Sequence, residues 1–175
     1  MVPPAALNTA IVLLAQLWIP VALVAQIPTS LAMSPKKEIR LTTLAKGSFD
    51  VKVQPLTEGA RKDVWTPGRM SIDKQFHGDL EATSQGEMLA AGTETQGSAG
   101  YTAIEKVSGR LQGRKGTFLL QHFAVMTRGV PGEWIVMVIP DSGTDALKGL
   151  TGKLTIIVTG KQHDYILEYS LPDAH

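Results

Sequence analysis

Beyond Pro35 the chain alternates between short apolar runs and polar, turn-forming residues. The runs are rich in β-branched and aromatic side chains, and almost none has the i, i+3, i+4, i+7 spacing of an amphipathic helix. Eight runs are interpreted as strands, at 47–54, 69–83, 87–93, 99–108, 117–128, 133–139, 153–159 and 164–171. The pattern therefore predicts an all-β fold in which helix is a minor component.

The breaks between these runs contain the residues that tight turns require. Predicted turns fall at Ser84-Gln85-Gly86, 109–116, 129–132 and 160–163. Glycine and proline there supply the positive or fixed φ of short connections, which favours consecutive antiparallel hairpins. Eight such strands can close into an antiparallel barrel whose interior holds side chains or one small ligand. A two-sheet sandwich is the alternative.

The last two strands alternate clearly, so the faces of their side chains can be assigned. The residues expected to face inward are Leu154, Ile156, Val158, Tyr165, Leu167 and Tyr169. The fifth strand differs because its second face is also apolar, with Leu119, Phe123 and Val125. We expect the connection 141–149 or another subunit to cover that face, which makes a homo-oligomer the expected assembly. That connection should also contain one helical turn capped by Thr144 or Asp145.

The N-terminal region has a different composition from the rest of the chain. Residues 10–25 are apolar apart from Gln16 and Pro20, a length between those of a signal-peptide core and a spanning helix. We therefore assign residues 1–32 to a signal peptide or membrane anchor, residues 33–46 to a linker and residues 47–172 to the β-barrel domain.

Two interpretations of this N-terminal segment lead to different locations. Small residues at Ser30 and Ala32 permit cleavage before Met33, which would export the domain to the periplasm or beyond the cell. If instead Met33 or Met70 is the true start, the protein is cytoplasmic. Contact with a membrane is expected only through residues 10–25, if they are not cleaved.

Charge and residue composition exclude several classes of function. Lysine and arginine number 17 against 16 acidic residues, and no basic stripe is present, so nucleic-acid binding is not expected. The chain has no cysteine, which excludes disulfides, thiolate metal sites and cysteine nucleophiles. The four histidines lack the close spacing of metal ligands, so neither a metal nor a cofactor is expected.

Three positions in the central strands could carry chemistry. His122 lies in mid-strand among apolar residues, where it is either a base or donor facing a cavity or a hydrogen-bonded core histidine. Glu105 shares its strand face with Tyr101, and a carboxylate inside a largely apolar barrel would have a raised pKa suited to proton transfer; the alternative is a solvated outer glutamate. Trp134 either walls a ligand mouth or plugs the barrel end.

Several short motifs in the second half of the chain occur in a specific order. They are Gly109-Arg110-Leu111, Gly113-Arg114, Gly116-Thr117-Phe118, Leu120-Gln121-His122, Trp134, Ile139-Pro140, Ser142-Gly143-Thr144, Leu147, Gly149-Leu150, Gly152, His163, Tyr165 and Tyr169. With these, residues 100–171 resemble a bacterial family catalogued only as a domain of unknown function and grouped with allene oxide cyclase-like barrels. The resemblance implies an eight-stranded barrel with a central cavity.

We therefore expect a small-molecule-binding barrel. Cofactor-independent cyclase- or isomerase-like action on an apolar substrate would be its catalytic form, by analogy of fold alone. His122 and Glu105 are the candidate catalytic residues. Tyr101, Trp134, Tyr165 and Tyr169 are the candidate ligand-binding residues. The alternative is a non-enzymatic structural or interaction barrel that forms oligomers.

Overall fold

The computed structural model describes residues 41–56, 63 and 65–172. Its strands are β1 (Thr43–Pro55), β2 (Gly68–Gly78), β3 (Leu80–Gly92), β4 (Ala99–Leu111), β5 (Arg114–Thr127), β6 (Val130–Val138), β7 (Thr151–Thr159) and β8 (Gln162–Ser170). Each strand pairs antiparallel with the next, and β8 pairs with β1 to close a barrel. The predicted all-β, eight-stranded antiparallel barrel is confirmed over the sandwich alternative.

The predicted turn at Ser84-Gln85-Gly86 is wrong. The reversal between β2 and β3 lies instead at Gly78, whose φ of +96° is a conformation that glycine adopts without steric cost. Gly86 lies within β3 opposite Glu105, and a Cβ atom built on it would lie 2.3 Å from the carbonyl oxygen of Ile104. Glycine is required there by packing between strands and not by a turn.

The hairpin after β4 turns within the predicted window 109–116, whereas the one after β5 turns at Arg128-Gly129, at the front edge of the window 129–132. Their positive-φ pairs are Gln112-Gly113, at +46° and +81°, and Arg128-Gly129, at +51° and +80°. Two consecutive residues with positive φ match the right-handed twist of the strands on either side. The apolar runs and these glycine-containing turns thus indicate the same order of strands along the chain.

The two ends of the barrel differ. At the closed end, where β1 begins, large apolar side chains are almost fully buried: Leu80, Leu111, Leu147, Leu150 and Tyr169. At the open end, where β1 finishes, inward-facing Val51 and Val53 remain 36% and 41% exposed. The barrel is therefore shaped like a cup: side chains pack its closed end and leave its open end accessible.

The connection between β6 and β7 forms the base of the cup. It contains a single 3₁₀ turn, Asp145–Leu147, with Thr144 at the N-cap position but without a capping hydrogen bond from its side chain. The Thr144 hydroxyl oxygen instead accepts a hydrogen bond from the backbone N–H of Thr117, and that of Ser142 accepts one from Leu119. These bonds fix the connection against the start of β5 and bury Leu147.

The predicted cover of the fifth strand is therefore only partial. The connection reaches Thr117 and Leu119, whereas Phe123 and Val125 remain 38% and 49% exposed on the outer face. A covering subunit stays a prediction.

The ladder between β6 and β7 is the shortest in the barrel. Its register consists of one pair, Met137 with Lys153, whereas β4 and β5 pair from Ala99 to Leu111. This pair lies towards the closed end, since Lys153 also pairs with Glu168, which pairs with Leu44 near the start of β1.

β1 begins at Thr43, earlier than the predicted start at Gly47. The signal or anchor segment at residues 1–32 and most of the predicted linker lie outside the described residues. Among those that are described, no helix has the length and apolarity to cross a membrane.

Candidate functional site

An ion pair is buried inside the barrel between Lys74 of β2 and Glu105 of β4. Lys74 Nζ lies 2.5 Å from Glu105 Oε1, and the two side chains are 4% and 0% exposed. The hydroxyl of Ser84, on the intervening strand β3, donates a hydrogen bond of 2.6 Å to Glu105 Oε2. Both carboxylate oxygens of Glu105 are therefore engaged, one by Lys74 of β2 and one by Ser84 of β3, and the Lys74 ammonium balances the charge of the carboxylate.

Strand alternation places these groups in the interior. Lys74 lies between the buried Ile72 and Phe76, and Glu105 lies between the buried Ala103 and Val107. Because side chains of a strand alternate between faces, the polar residues share the inward face of their apolar neighbours.

The Lys74 ammonium also lies near two aromatic rings. Its Nζ is 5.2 Å from the ring centroid of Phe49 and 5.8 Å from that of Phe76, within the range of cation–π attraction. These contacts partly replace the water that the ammonium loses on burial.

His122 of β5 adjoins this pair. Its side chain is 1% exposed, and its Nε2 lies 3.5 Å from Glu105 Oε1 without hydrogen-bond geometry. Within the described part of the chain no protein group bonds either ring nitrogen. Burial and then the positive charge of Lys74 lower the pKa of His122 to about 4, against an opposing effect of Glu105. The imidazole is therefore neutral at physiological pH.

Two aromatic side chains extend the site towards the open end. Tyr101 packs edge-on against His122 with 5.7 Å between ring centroids, and burial raises the pKa of its phenol. Trp134 of β6 is partly buried, and its Nε1 lies near the Tyr101 hydroxyl, an interaction that lowers the pKa of Tyr101 against the effect of burial but lacks regular hydrogen-bond geometry. Among the described residues, the His122 imidazole thus has no hydrogen-bond partner, and the Trp134 indole has only an irregular one, the Tyr101 hydroxyl.

A cavity of about 230 Å³ lies above this polar floor, in the open half of the barrel. It is lined by Phe49, Val51, Val53, Ile72, Lys74, Met88, Tyr101, His122, Trp134, Ile156 and His163. Most of these side chains are apolar, and the polar groups are those of Lys74, His122 and His163 together with the Tyr101 hydroxyl and the Trp134 indole. A concave apolar wall with few polar groups is the usual form of a small-molecule site.

A second cavity, of about 270 Å³, adjoins the first at the rim. Its lining residues are Ala90, Ala99, Gly100, Tyr101, Ala124, Val125, Met126, Pro131 and Trp134. Tyr101 and Trp134 line both cavities and therefore form the wall between them.

The structure brings four of the six predicted site residues together. Tyr101, His122 and Trp134 line the inner cavity, with Glu105 beneath it. Tyr165 and Tyr169 face inward as predicted, but neither lines this cavity. The Tyr165 hydroxyl accepts from the N–H of Leu80 and donates to the carbonyl of His77, whereas that of Tyr169 donates to Gln112. Both hydroxyls therefore make structural hydrogen bonds, and neither tyrosine forms part of the cavity wall.

Sequence reasoning missed Lys74 and Ser84. The available signal was alternation, since Lys74 occupies an inward position between Ile72 and Phe76. Ser84 belongs to the turn that the sequence wrongly predicts at Ser84-Gln85-Gly86, so its inward position in β3 is not evident from the sequence.

The chemistry of the site does not suit a metal ion. Within the described ranges, no three histidine, aspartate or glutamate side chains gather as ligands would. The one buried carboxylate is already paired with Lys74 and Ser84.

Fold and site together define a small closed antiparallel β-barrel with an internal cavity. Residues 45–169 match the family DUF3224, described as a protein of unknown function, and the chain belongs to that family. It is similar to the crystal structure of a DUF3224 protein of unknown function from Shewanella oneidensis MR-1. The identity is 44%, the match covers 77% of this chain and 100% of the other, and the TM-score is 0.69. No curated protein matches the chain.

The family resemblance found in the sequence is thus confirmed. The grouping with allene oxide cyclase-like barrels stays a prediction.

Proposed function

We propose that this protein binds a small, largely apolar molecule inside the open half of its barrel. The observation that carries the proposal is the inner cavity of about 230 Å³, which has an apolar wall above the polar floor of Lys74, Glu105 and His122. An eight-stranded barrel is just wide enough to be filled by its own side chains, so an internal space of this size is a departure from solid packing.

The polar groups at the floor of the cavity are a second reason to propose ligand binding. Burying an ion pair costs desolvation energy that apolar residues at the same positions would avoid. Ion pairing inside a cavity wall instead gives the site polar character while keeping its net charge at zero. Orientation of a ligand by a few placed polar groups is a common use of such an arrangement.

The geometry favours binding over cyclase- or isomerase-like catalysis. Proton transfer is most efficient when the pKa of the catalytic group lies near the working pH, and the pKa of His122 is lowered to about 4. Both oxygens of Glu105 are engaged by Lys74 and Ser84, so this carboxylate is held as a structural anion.

The test uses limonene and menthone as uncharged apolar probes of the full chain. Either compound should raise the melting temperature in a dose-dependent way, and a concentration of 100 times Kd corresponds to about 2.7 kcal/mol of added stability. Val51→Trp places a large ring in the cavity mouth, whereas Lys52→Trp adds the same ring at the next, outward-facing position of β1.

We expect stabilisation of the wild type and of Lys52→Trp, and little or none of Val51→Trp. Absence of binding by all three proteins, or equal binding by both variants, would contradict the proposal.

A second candidate function is self-association through the outer face of β3 to β6. Exposed apolar side chains lie on that face as diagonal neighbours, with Thr102 and Gln121 between them: Leu89, Ile104, Phe123, Val125 and Met137. Contiguous exposed apolar surface is typical of an interaction site. Sedimentation velocity should show a dimer or larger species that Ile104→Lys dissociates, and a monomer at all concentrations would exclude this function.

A further inference from the structure

The inner cavity carries polar groups whose hydrogen-bonding roles can be assigned. The class of ligand that these roles indicate is an inference that rests on the binding function proposed above. Four groups decide it: the Lys74–Glu105 pair, the His122 imidazole and the Trp134 indole.

The tautomer of His122 follows from its neighbour. A neutral imidazole has one nitrogen that donates and one that accepts. The nitrogen facing Glu105 Oε1 at 3.5 Å is Nε2, and a lone pair there would point at a negatively charged oxygen. The proton is therefore placed on Nε2, which leaves Nδ1 as an acceptor with no donor among the residues that the structure describes.

Trp134 supplies the complementary role. Its Nε1 can only donate, and the one described residue near it, Tyr101, does not accept that proton in regular geometry, so a better-placed acceptor can take it. His122 and Trp134 line the same cavity, on the adjacent strands β5 and β6. These two residues thus offer a ligand one acceptor and one donor.

The charge of the site is already balanced. Lys74 and Glu105 cancel each other at 2.5 Å, and His122 is neutral. A carboxylate ligand would bring a second anion close to Glu105, and an ammonium ligand would bring a second cation close to Lys74. Either would carry an uncompensated charge into a poorly solvated cavity, which is strongly unfavourable.

We infer that the cavity takes an uncharged apolar alcohol, whose hydroxyl group donates to His122 Nδ1 and accepts from Trp134 Nε1. A hydroxyl is the smallest organic group that donates and accepts at the same atom. A ketone satisfies Trp134 alone, and a hydrocarbon satisfies neither residue. Because buried polar groups without partners cost free energy, the alcohol is preferred over both.

The experiment compares four ligands that share one carbon skeleton: menthol, menthone, p-menthane and p-menthane-3-carboxylate. Their affinities for the full chain are measured by isothermal titration calorimetry at pH 7. The one additional hydrogen bond, to His122, corresponds to a preference for menthol over menthone of about five- to tenfold. The carboxylate should bind more weakly than menthone.

Two variants assign this preference to its residues. His122→Leu removes the acceptor and should bring the ratio of menthone to menthol Kd close to one, while Trp134→Phe keeps an aromatic ring and should weaken menthol and menthone together. The control, His77→Gln, changes an exposed histidine on the outer face and should leave all affinities unchanged.

The outcomes separate this inference from the proposed function. If p-menthane and menthone bind but menthol has no advantage, the hydroxyl preference is wrong and binding by the barrel stands. Tighter binding of the carboxylate would show that Lys74 recognises an anion and would overturn the inference. If none of the four binds, the proposed function fails as well.

Discussion

Lys74 and Glu105 lie 31 residues apart in the chain and meet in the barrel as an ion pair, with 2.5 Å between Nζ and Oε1. Glu105 is also the group to which Ser84 donates and which His122 approaches. The pair therefore organises the floor of the cavity, and its removal should affect both stability and the site.

Lys74→Met should destabilise the fold strongly because it leaves Glu105 buried without a counter-charge. We expect a loss of roughly 3–5 kcal/mol in the free energy of unfolding, measured by urea denaturation. The double variant Lys74→Met/Glu105→Gln should recover most of this loss. Arg69→Met, which breaks the exposed ion pair with Glu87, is the matched control and should cost less than about 1 kcal/mol. Equal losses for the two single variants would refute the buried pair.

His122 should make stability depend on pH. Its pKa is about 4 when folded and 6.5 as a free side chain, so between these values the unfolded state binds more protons. The free energy of unfolding therefore falls as the pH falls from 6.5 to 4, by about 3 kcal/mol from this residue, and is retained above 6.5. Urea titrations of wild type and His122→Gln at several pH values isolate this contribution, which the variant should lack. Parallel pH profiles would show that His122 titrates normally.

Gly86 should not tolerate a side chain although it lies in regular strand. A Cβ there would lie 2.3 Å from the oxygen of Ile104 and 2.6 Å from the Cα of Glu105, so the strands must move apart. We expect Gly86→Ala to cost roughly 1–3 kcal/mol, the usual range for overpacking. Gly100→Ala is the control because its nearest neighbour would be 3.7 Å away. Calorimetric melting curves measure both, and a neutral Gly86→Ala would contradict the close approach.

The Tyr165 hydroxyl should contribute to stability and not to ligand binding. It accepts from the N–H of Leu80 at 2.9 Å, so Tyr165→Phe leaves that buried donor without its partner at a cost of about 1–3 kcal/mol. Tyr169→Phe removes a bond to the part-exposed Gln112, which can turn to water, and should cost less. Denaturation and menthone titration together test this, and a loss of menthone affinity in Tyr165→Phe at unchanged stability would reverse the assignment.

The strand number and most inward faces could be predicted because alternation and glycine-rich breaks are local properties of the chain. The turn after β2 could not, since Ser84-Gln85-Gly86 has turn composition and only its neighbour across the sheet, Glu105, explains the glycine. Alternation did indicate that Lys74 faces inward, but its partner Glu105 is 31 residues away in the chain, and only the strand pairing brings the two together.

Parity tells whether a side chain points inward but not at which height of the barrel it lies. For this reason the sequence could not show that Tyr101 lines the cavity and that Tyr165 does not. Only the register between strands separates them, and register depends on partners distant in the chain.

The difference between the two ends of the barrel bears on how such a protein can diversify. Leu80, Leu111 and Leu147 anchor the base, while Val51, Val53 and Met88 line the mouth side of the cavity. Substitutions at the mouth would reshape the cavity without disturbing the residues that keep the barrel folded. Under the proposed binding function, members of the family would share one architecture while differing in cargo, and the barrel would be a scaffold whose selectivity is redesigned from one end.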